Sequence, residues 1–538
     1  MRVELGVDLN SVGIANPTPH TDMIKQTPAT PTRIHELLEP WIACDPTMPA
    51  LKDDHASYTY GELKKASIAA AKQLSSWGVR AGDRVLVVGE NCAGNGVIAL
   101  AVSRLDAWLC IVNGRLSQRE IDGIIEHAAP RRTLYATHVS ADALKHAARH
   151  GAEPLDWTGV AKLHLGPLNE QAQAEPCFAC PTEQVAALIY TSGTSGAPKG
   201  VMLTHANIAF AALSVHAVRG LGPGDVVYGA LPMAHVVGLS AQLFGTLACG
   251  AELILEPRFS PALMVKAFES GVTCFTGVPA MYARLLEWLR EENMSLNAPK
   301  LRIIGVAGSP LTQTLKSNVE RAFGLPLLNG YGLTETSPTI AQVRTDSART
   351  DCAVGNPIPD VEVRVMDQGR TDVKPGEVGE LWVRGPNVMK GYYRNEALTR
   401  DVINPQGWFN TGDMARQSDD GALHIVGRTK ELIIRSGFNV YPVEVEQVIN
   451  SFPDVVQSAV VGRTAGHNEE IIAFVEVRTG KLIAEDELRA FLRARLSPYK
   501  QPTEIHFMPQ LPASATGKVL KSVLKILVEG DKLANRAS

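Results

Sequence analysis

The chain has 538 residues, about three or four domain-sized units, with 45% apolar and 20% charged side chains, the composition of an ordinary soluble globular protein. A formal net charge of −4 gives no reason to expect nucleic acid or an anionic membrane as partner. No apolar run reaches the ~18 residues of a membrane-spanning helix; the best, residues 97–112, is broken by Arg104 and Asp106.

Residues 1–30 hold Arg2 and Lys25 as their only Lys or Arg and include Asp8 and Asp22, which fits neither a secretory signal nor a transit peptide; they read as an N-terminal extension. Residues 84–88 are patterned as a strand and 97–109 as a helix. Eight scattered cysteines suggest no disulfide framework, and Cys177 and Cys180 form a C-x-x-C without a second pair at zinc-like spacing, so a reducing cytoplasm fits best. The apolar run 185–189 predicts a strand entering a glycine-rich loop over 190–201. Strands at 226–231, 251–255, 272–276, 301–306 and 327–328 then alternate with helices at 237–247, 261–269, 279–290 and 311–323, as in α/β layers around mainly parallel sheet. Past residue 345 the texture changes: 361–365 and 380–384 alternate in period two, as antiparallel strands do. A smaller unit follows from residue 430, with helices at 442–450 and 485–496 and strands at 457–461 and 471–477. The expected fold is α/β. A large N-terminal body of α/β layers with a small β-barrel-like part spans 31–429, and a smaller α+β C-terminal domain spans 430–538.

Four stretches carry chemistry. Tyr190-Thr-Ser-Gly-Thr-Ser-Gly-Ala-Pro-Lys199-Gly200-Val201 offers a polyphosphate the hydroxyls of Thr191, Ser192, Thr194 and Ser195, backbone N–H groups opened by Gly193 and Gly196, and the Lys199 ammonium. The G-x-x-x-x-G-K-[ST] spacing of the common phosphate loop is not met, because Lys199 follows Ala197-Pro198 and precedes Gly200. Asn329-Gly-Tyr-Gly-Leu-Thr-Glu335 ends a predicted strand, where open α/β sheets bind ligands. There Tyr331, between Gly330 and Gly332, gives a flat face for a purine, and Thr334 and Glu335 offer a hydroxyl and a hard oxygen ligand for Mg²⁺. Trp408-Phe-Asn-Thr-Gly-Asp413 places a carboxylate after a tight turn, suited to accept from the vicinal hydroxyls of a ribose. Leu511-Pro-Ala-Ser-Ala-Thr-Gly517-Lys518 sets an ammonium on a glycine-containing turn before a helical run over 519–527.

In this order, and with Val426-Gly-Arg-Thr-Lys-Glu431, these stretches resemble the signatures of the adenylate-forming superfamily: acyl-CoA synthetases, aryl-CoA ligases, luciferases and peptide-synthetase adenylation domains. A weaker likeness at Tyr58-Thr-Tyr-Gly-Glu-Leu63 extends the resemblance over most of the chain, and within the superfamily it points to the fatty-acyl or aryl (4-coumarate-like) CoA ligases. The resemblance implies ATP, Mg²⁺ and coenzyme A. It implies that Tyr331 stacks on adenine with Asn329, Gly330 and Gly332 around it, that Gly308, Ser309 and Pro310 line the other side, that Thr334 touches the α-phosphate, and that Glu335 binds the metal. Asp413 and Arg428 match the ribose-binding pair, Lys430 the hinge of a mobile C-terminal domain, and Gly437 the loop that docks during thioester formation. Lys518 takes the place of the adenylation lysine, with Lys521 where a second base often stands; a compact ammonium can hold two anions together. The context of Lys518 also resembles that of bacterial acyl-CoA synthetases that are acetylated, which makes a lysine acetyltransferase an expected partner.

For the acid, Leu231-Pro-Met-Ala-His235-Val-Val-Gly238 resembles the segment lining the acyl pocket, with His235 either a gate near the reacting carboxylate or a packing histidine. No acidic residue falls between Leu231 and Ala241, which argues against an amino-acid substrate whose ammonium would be buried unpaired. Acetate-type enzymes have tryptophan where this chain has Gly332, so an open floor and a longer or aromatic acid are expected. Val236, Val237, Gly305 and Gly330 would form small apolar walls favouring an unsubstituted or weakly polar acyl group. Medium-chain fatty acids and aryl or arylpropenoic acids both remain open. The expected enzyme is an acid–thiol ligase that makes acyl-AMP and then the CoA thioester. The alternative is an acyl-AMP ligase loading a carrier-protein phosphopantetheine, since Ala465-Gly-His-Asn-Glu-Glu470 departs from the frequent D-x-x-x-G-E pattern.

Overall fold

Two large sheets face each other across a layer of buried helices. The computed structural model describes residues 31–192, 198–367, 369–435, 438–465, 468–513 and 519–534. The expectations placed on residues 1–30, Gly193, Thr194, Ser195, Gly196, Gly437 and Lys518, with the acetylation of Lys518, therefore lie outside the described residues.

The nine-stranded sheet has a parallel centre: Leu327–Gly332, Ile303–Val306, Cys274–Gly277, Val226–Gly229, Glu252–Leu255 and Pro49–Lys52 lie side by side. The eight-stranded sheet is built around Val185–Ser192, Trp108–Val112, Arg84–Val88 and Arg132–Tyr135. Alternate side chains serve alternate faces: Val85 and Val87 join the core between the sheets, while Leu86 and Val88 pack outward with Ile121 and Ile124. The central helix Ala93–Arg104 is buried all round, which suits its near-absence of charge.

The helix predicted over 97–109 ends early, at Arg104. Asp106 takes a positive φ of 53°, which no helix continues through, and Trp108–Val112 becomes a parallel strand beside Arg84–Val88. The helix predicted at 237–247 opens as a π-helix, Val237–Phe244, and finishes as the α-helix Gly245–Ala248; such wide turns gather at functional sites. The strand predicted at 327–328 runs on to Gly332, because Gly330 and Tyr331 pair antiparallel with Gln342 and Ala341. The glycine-rich loop has strands for both arms, Val185–Ser192 and Pro198–Thr204, in antiparallel register.

Four antiparallel strands, Glu362–Met366, Val378–Arg384, Phe409–Gln417 and Leu423–Arg428, form the β part of the body. Toward the C-terminus, Val455–Ala465, Asn468–Val477 and Glu504–Met508 form a three-stranded sheet. One face (Val460, Ile471, Ala473, Val475) packs with Val445 and Ile449 of helix Pro442–Ile449 and Leu488 and Leu492 of helix Glu485–Arg493. The other (Ala459, Val461, Ile472, Phe474) packs with Leu524 and Val528 of helix Lys521–Ala534. Among the described residues no helix is long and apolar enough to cross a membrane.

Candidate active site

The motifs converge on the C-terminal ends of two neighbouring parallel strands. Val306 pairs with Asn329, so Ala307 and Gly308 leave one strand beside the point where Gly330 and Tyr331 continue the other. Gly308 turns at a φ of 86°, and Ser309 and Pro310 follow it. Asn329 is buried, and its amide Nδ2 donates to the carbonyls of Cys352 (2.9 Å) and Ala353 (3.3 Å); its side chain braces the strand end.

Tyr331 donates its hydroxyl to Asp413 Oδ2 at 2.5 Å, and Arg428 Nε reaches Asp413 Oδ1 at 3.1 Å. Asp413 and Arg428 are direct cross-strand partners, and Asp413 is only 3% exposed. Two motifs 82 positions apart thus meet as one contact chain: aromatic ring, carboxylate, guanidinium. Burial, then the Asp413 carboxylate, pushes the Tyr331 phenol well above its ordinary range, so it stays a donor.

Thr334 is buried at the start of the short helix Thr334–Thr336. The half-buried Glu335 accepts from Tyr392 Oη at 2.7 Å through Oε1, and its other oxygen makes no hydrogen bond among the described residues. Tyr392 pairs with Val201 on the return arm of the glycine-rich hairpin, and Lys199 Nζ lies 5.5 Å from its ring centroid. Thr191 faces Lys199 across the same hairpin. A carboxylate with one uncommitted oxygen beside such a loop fits Mg²⁺, which takes few carboxylates and leaves its other positions to phosphate and water. Sequence reasoning passed over Tyr392; the signal was the Gly391-Tyr392-Tyr393 run, whose backbone also anchors the hairpin through the Tyr393 N–H to Gly200 O bond of 2.8 Å.

On the acyl side, buried Asn91 holds the turn that carries His235: its Nδ2 donates to Leu231 O at 2.9 Å, and its Oδ1 accepts from Met233 N at 2.7 Å. His235 is half-buried, with Nδ1 accepting from Val237 N at 3.3 Å; Val236 is buried and Val237 partly so. Gly330 has Gln342 Cγ 3.5 Å from where a Cβ would stand, while Gly305 sits against Thr276. Gly332 opens no floor. A Cβ there would stand 1.8 Å from Pro338 O, so the glycine is required by the return of its own backbone.

Lys430 is exposed in the short helix Thr429–Glu431. Lys521 is held by Glu431 (2.9 Å) and Glu446 (2.8 Å). Burial alone would lower its pKa, but the two carboxylates raise it above the ordinary lysine value.

Fold and site together define an adenylate-forming enzyme, an AMP-forming acid–thiol ligase. The family pattern described as AMP-binding enzyme matches residues 38–393, and that of the AMP-binding enzyme C-terminal domain matches 444–518. The chain belongs to the AMP-binding enzyme family. It is 33% identical to a feruloyl-CoA synthase of Amycolatopsis over 89% of this chain and 96% of that one. It is 31% identical to an indoleacetate–CoA ligase of Aromatoleum aromaticum over 91% and 98%. Among solved structures it resembles the o-succinylbenzoate coenzyme A synthetase of Bacillus subtilis in complex with ATP and magnesium ion, with a TM-score of 0.77 and 29% identity over 91% of this chain and 99% of that one.

Proposed function

We propose that the protein is an ATP-dependent acyl-CoA synthetase acting on an aromatic carboxylic acid. The observation that carries this reading is the Arg428–Asp413–Tyr331 contact chain, set at strand ends beside Glu335 and the hairpin that bears Lys199. Two relatives matched along nearly the whole chain carry aromatic acyl groups and coenzyme A in their names, which supports aryl acids ahead of medium-chain fatty acids.

A carboxylate cannot acylate a thiol directly, because oxide would have to leave. Attack of the carboxylate on the α-phosphorus of ATP releases pyrophosphate and gives a mixed anhydride; the CoA thiol then takes the acyl group and AMP leaves. Two anions must meet at phosphorus, so the protein's task is positioning and charge neutralisation. In this reading Tyr331 stacks on the adenine, Asp413 and Arg428 hold the ribose, and Thr334, Thr191 and Lys199 hold phosphate oxygens. Glu335 would hold Mg²⁺, which when bound offsets phosphate charge. Lys518 spans the substrate carboxylate and the α-phosphate. A division near Lys430 belongs to the same proposal: rotation there would withdraw Lys518 before the thiol arrives.

The test is acid-dependent ATP/pyrophosphate exchange across aromatic and medium-chain acids, followed by acyl transfer to CoA or to a phosphopantetheinyl carrier protein. Exchange with aromatic acids and thioester formation with CoA are expected. Exchange confined to fatty acids, or transfer to the carrier protein alone, would overturn the reading.

A further inference from the structure

Against Thr276 lies a small cavity of about 10 Å³. That is about what a single oxygen-sized guest needs. Leu231 and Val237 line it on the apolar side, and Arg219, Gln242, Thr246 and Thr276 on the polar side.

Among the described residues the polar side is incomplete. Arg219 ends the helix His205–Arg219 and, although partly exposed as a residue, turns its guanidinium inward: Nη1 donates to Thr276 Oγ1 at 3.1 Å, while Nε is sealed from solvent with no hydrogen-bond partner. Gln242 commits its amide Nε2 to Tyr228 O at 3.1 Å and leaves Oε1 buried and unpartnered. The Thr246 hydroxyl is also buried without a partner. Among the described residues no carboxylate pairs with Arg219; the ionisable groups facing it are Cys274, Cys249 and Tyr282, and burial lowers its pKa. Buried polar atoms are almost always paired, so three of them around one void mark a place for a guest that both accepts and donates.

The cavity also lies where an acyl group would end. Thr276 stands one residue before the end of its strand and pairs in register with Gly305, where an added Cβ would stand 2.9 Å from Thr276 Oγ1. The strand bearing Tyr331 is two strand spacings away, about 10 Å, the reach of an aromatic ring on a short acid chain.

We propose that this cavity is the far end of the acyl site and seats a hydroxyl carried by the substrate, which accepts from Arg219 and donates to Gln242 Oε1 or Thr246. The proposal rests on the reading that segment 231–238 borders the acyl pocket, and it replaces the expected all-apolar wall with a polar stop. A methyl at that position leaves all three protein atoms unpaired, and a hydrogen leaves them to a water that must be held in the void. A carboxylate brings no proton for Gln242 and exceeds the void.

The experiment compares kcat/KM for three acids on one aromatic skeleton, differing at the ring position farthest from the acid chain: hydrogen, hydroxyl or carboxylate. Wild type, Arg219→Met, Arg219→Lys and Gln242→Leu are assayed by pyrophosphate exchange. Wild type is expected to favour the hydroxylated acid over the unsubstituted one by about 10-fold or more, the worth of a hydrogen bond to a buried charge. In Arg219→Met that ratio falls toward one, and Arg219→Lys restores part of it; if Arg219→Met does not fold, Gln242→Leu must lower the ratio instead. No preference in wild type, a ratio unchanged across the variants, or a preference for the carboxylated acid would overturn the inference, leaving a resident water as the guest. Exchange with none of the three would overturn the aryl-acid reading itself, an outcome separate from exchange without preference.

Discussion

The contact between Tyr331 and Asp413 offers a quantitative test of the nucleotide site. Asp413 is 3% exposed, accepts from Tyr331 at 2.5 Å and pairs with Arg428 at 3.1 Å, whereas the Arg428 side chain is 44% exposed and can turn to water. Asp413→Asn keeps the shape and removes the charge. A hydrogen bond to a charged group is worth about 1.5–3 kcal/mol against about 0.5–1.5 for a neutral pair. Two ribose hydroxyls bound this way would lose about 2–3 kcal/mol together, a rise of about 30- to 150-fold in the Kd of ATP. Tyr331→Phe keeps the ring for adenine and deletes only the bond to Asp413; about 10-fold is expected. Because the Tyr331 hydroxyl matters most when its partner is charged, the double variant should fall short of the product of the two factors, with a coupling of about 1 kcal/mol. Calorimetric titration with ATP measures all three. A change below about 3-fold in Asp413→Asn, or strictly multiplying effects, would refute the assignment of Asp413 as the ribose acceptor organised by Tyr331.

Glu335→Gln is expected to raise the Mg²⁺ concentration for half-maximal exchange by about 10-fold or more, and Tyr392→Phe by less, as for a ligand and the group that orients it; an unchanged Mg²⁺ titration in both would remove Glu335 from the metal site. Lys430→Pro should spare pyrophosphate exchange and depress thioester formation, and equal loss of both would count against a hinge there. His205 is fully buried, accepts from Ile34 N at 3.2 Å, and burial, then Arg33 and His35, lowers its pKa to about 3. With a folded pKa below the unfolded 6.5, the unfolded chain binds the extra proton, so stability is fully present above pH 6.5 and declines as pH falls toward the folded pKa, by at most about 1.4 kcal/mol per pH unit. Melting temperatures of His205→Asn against the parent between pH 6.5 and 4.5 check this: the variant's slope should be shallower, and parallel slopes would refute it.

What the sequence made legible was chiefly what local chemistry controls. The helix Pro261–Glu269 was readable to the residue because Ser260 caps the N–H of Leu263, Pro261 occupies the first turn, and Met264, Val265 and Phe268 repeat at helical spacing. The strand Arg84–Val88 was equally plain, from Val85 onward a continuous apolar run of the kind that fills a sheet buried on both faces. The early end of Ala93–Arg104 was not, since the left-handed turn at Asp106 is set by contacts with another segment: Gly82 N donates to Asp106 O and Trp108 N to Asp83 O. Gly332 misled for the same reason, its neighbour being the Pro338 carbonyl, which sequence comparison does not reveal.

Arg219 shows where such reading stops. A basic residue in the last turn of a helix is the ordinary complement to the negative end of the macrodipole, and by sequence alone Arg219 before Gly220 is no more than that. Only the packed fold turns it inward, toward Thr276, a strand residue 57 positions away, and toward the π-helix Val237–Phe244 and the α-helix Gly245–Ala248 that continues it, which place Gln242 and Thr246 on the same void. Arg219, Gln242 and Thr246 are each unremarkable in their own segments. Their unmet hydrogen bonds become informative together, because among the described residues no carboxylate pairs with the buried guanidinium, and an unpaired buried polar group is costly. Motifs therefore reveal the chemistry that members of the family share, the activation of a carboxylate by ATP, while the void proposed to read the acid is assembled by long-range juxtapositions that no contiguous stretch of sequence displays.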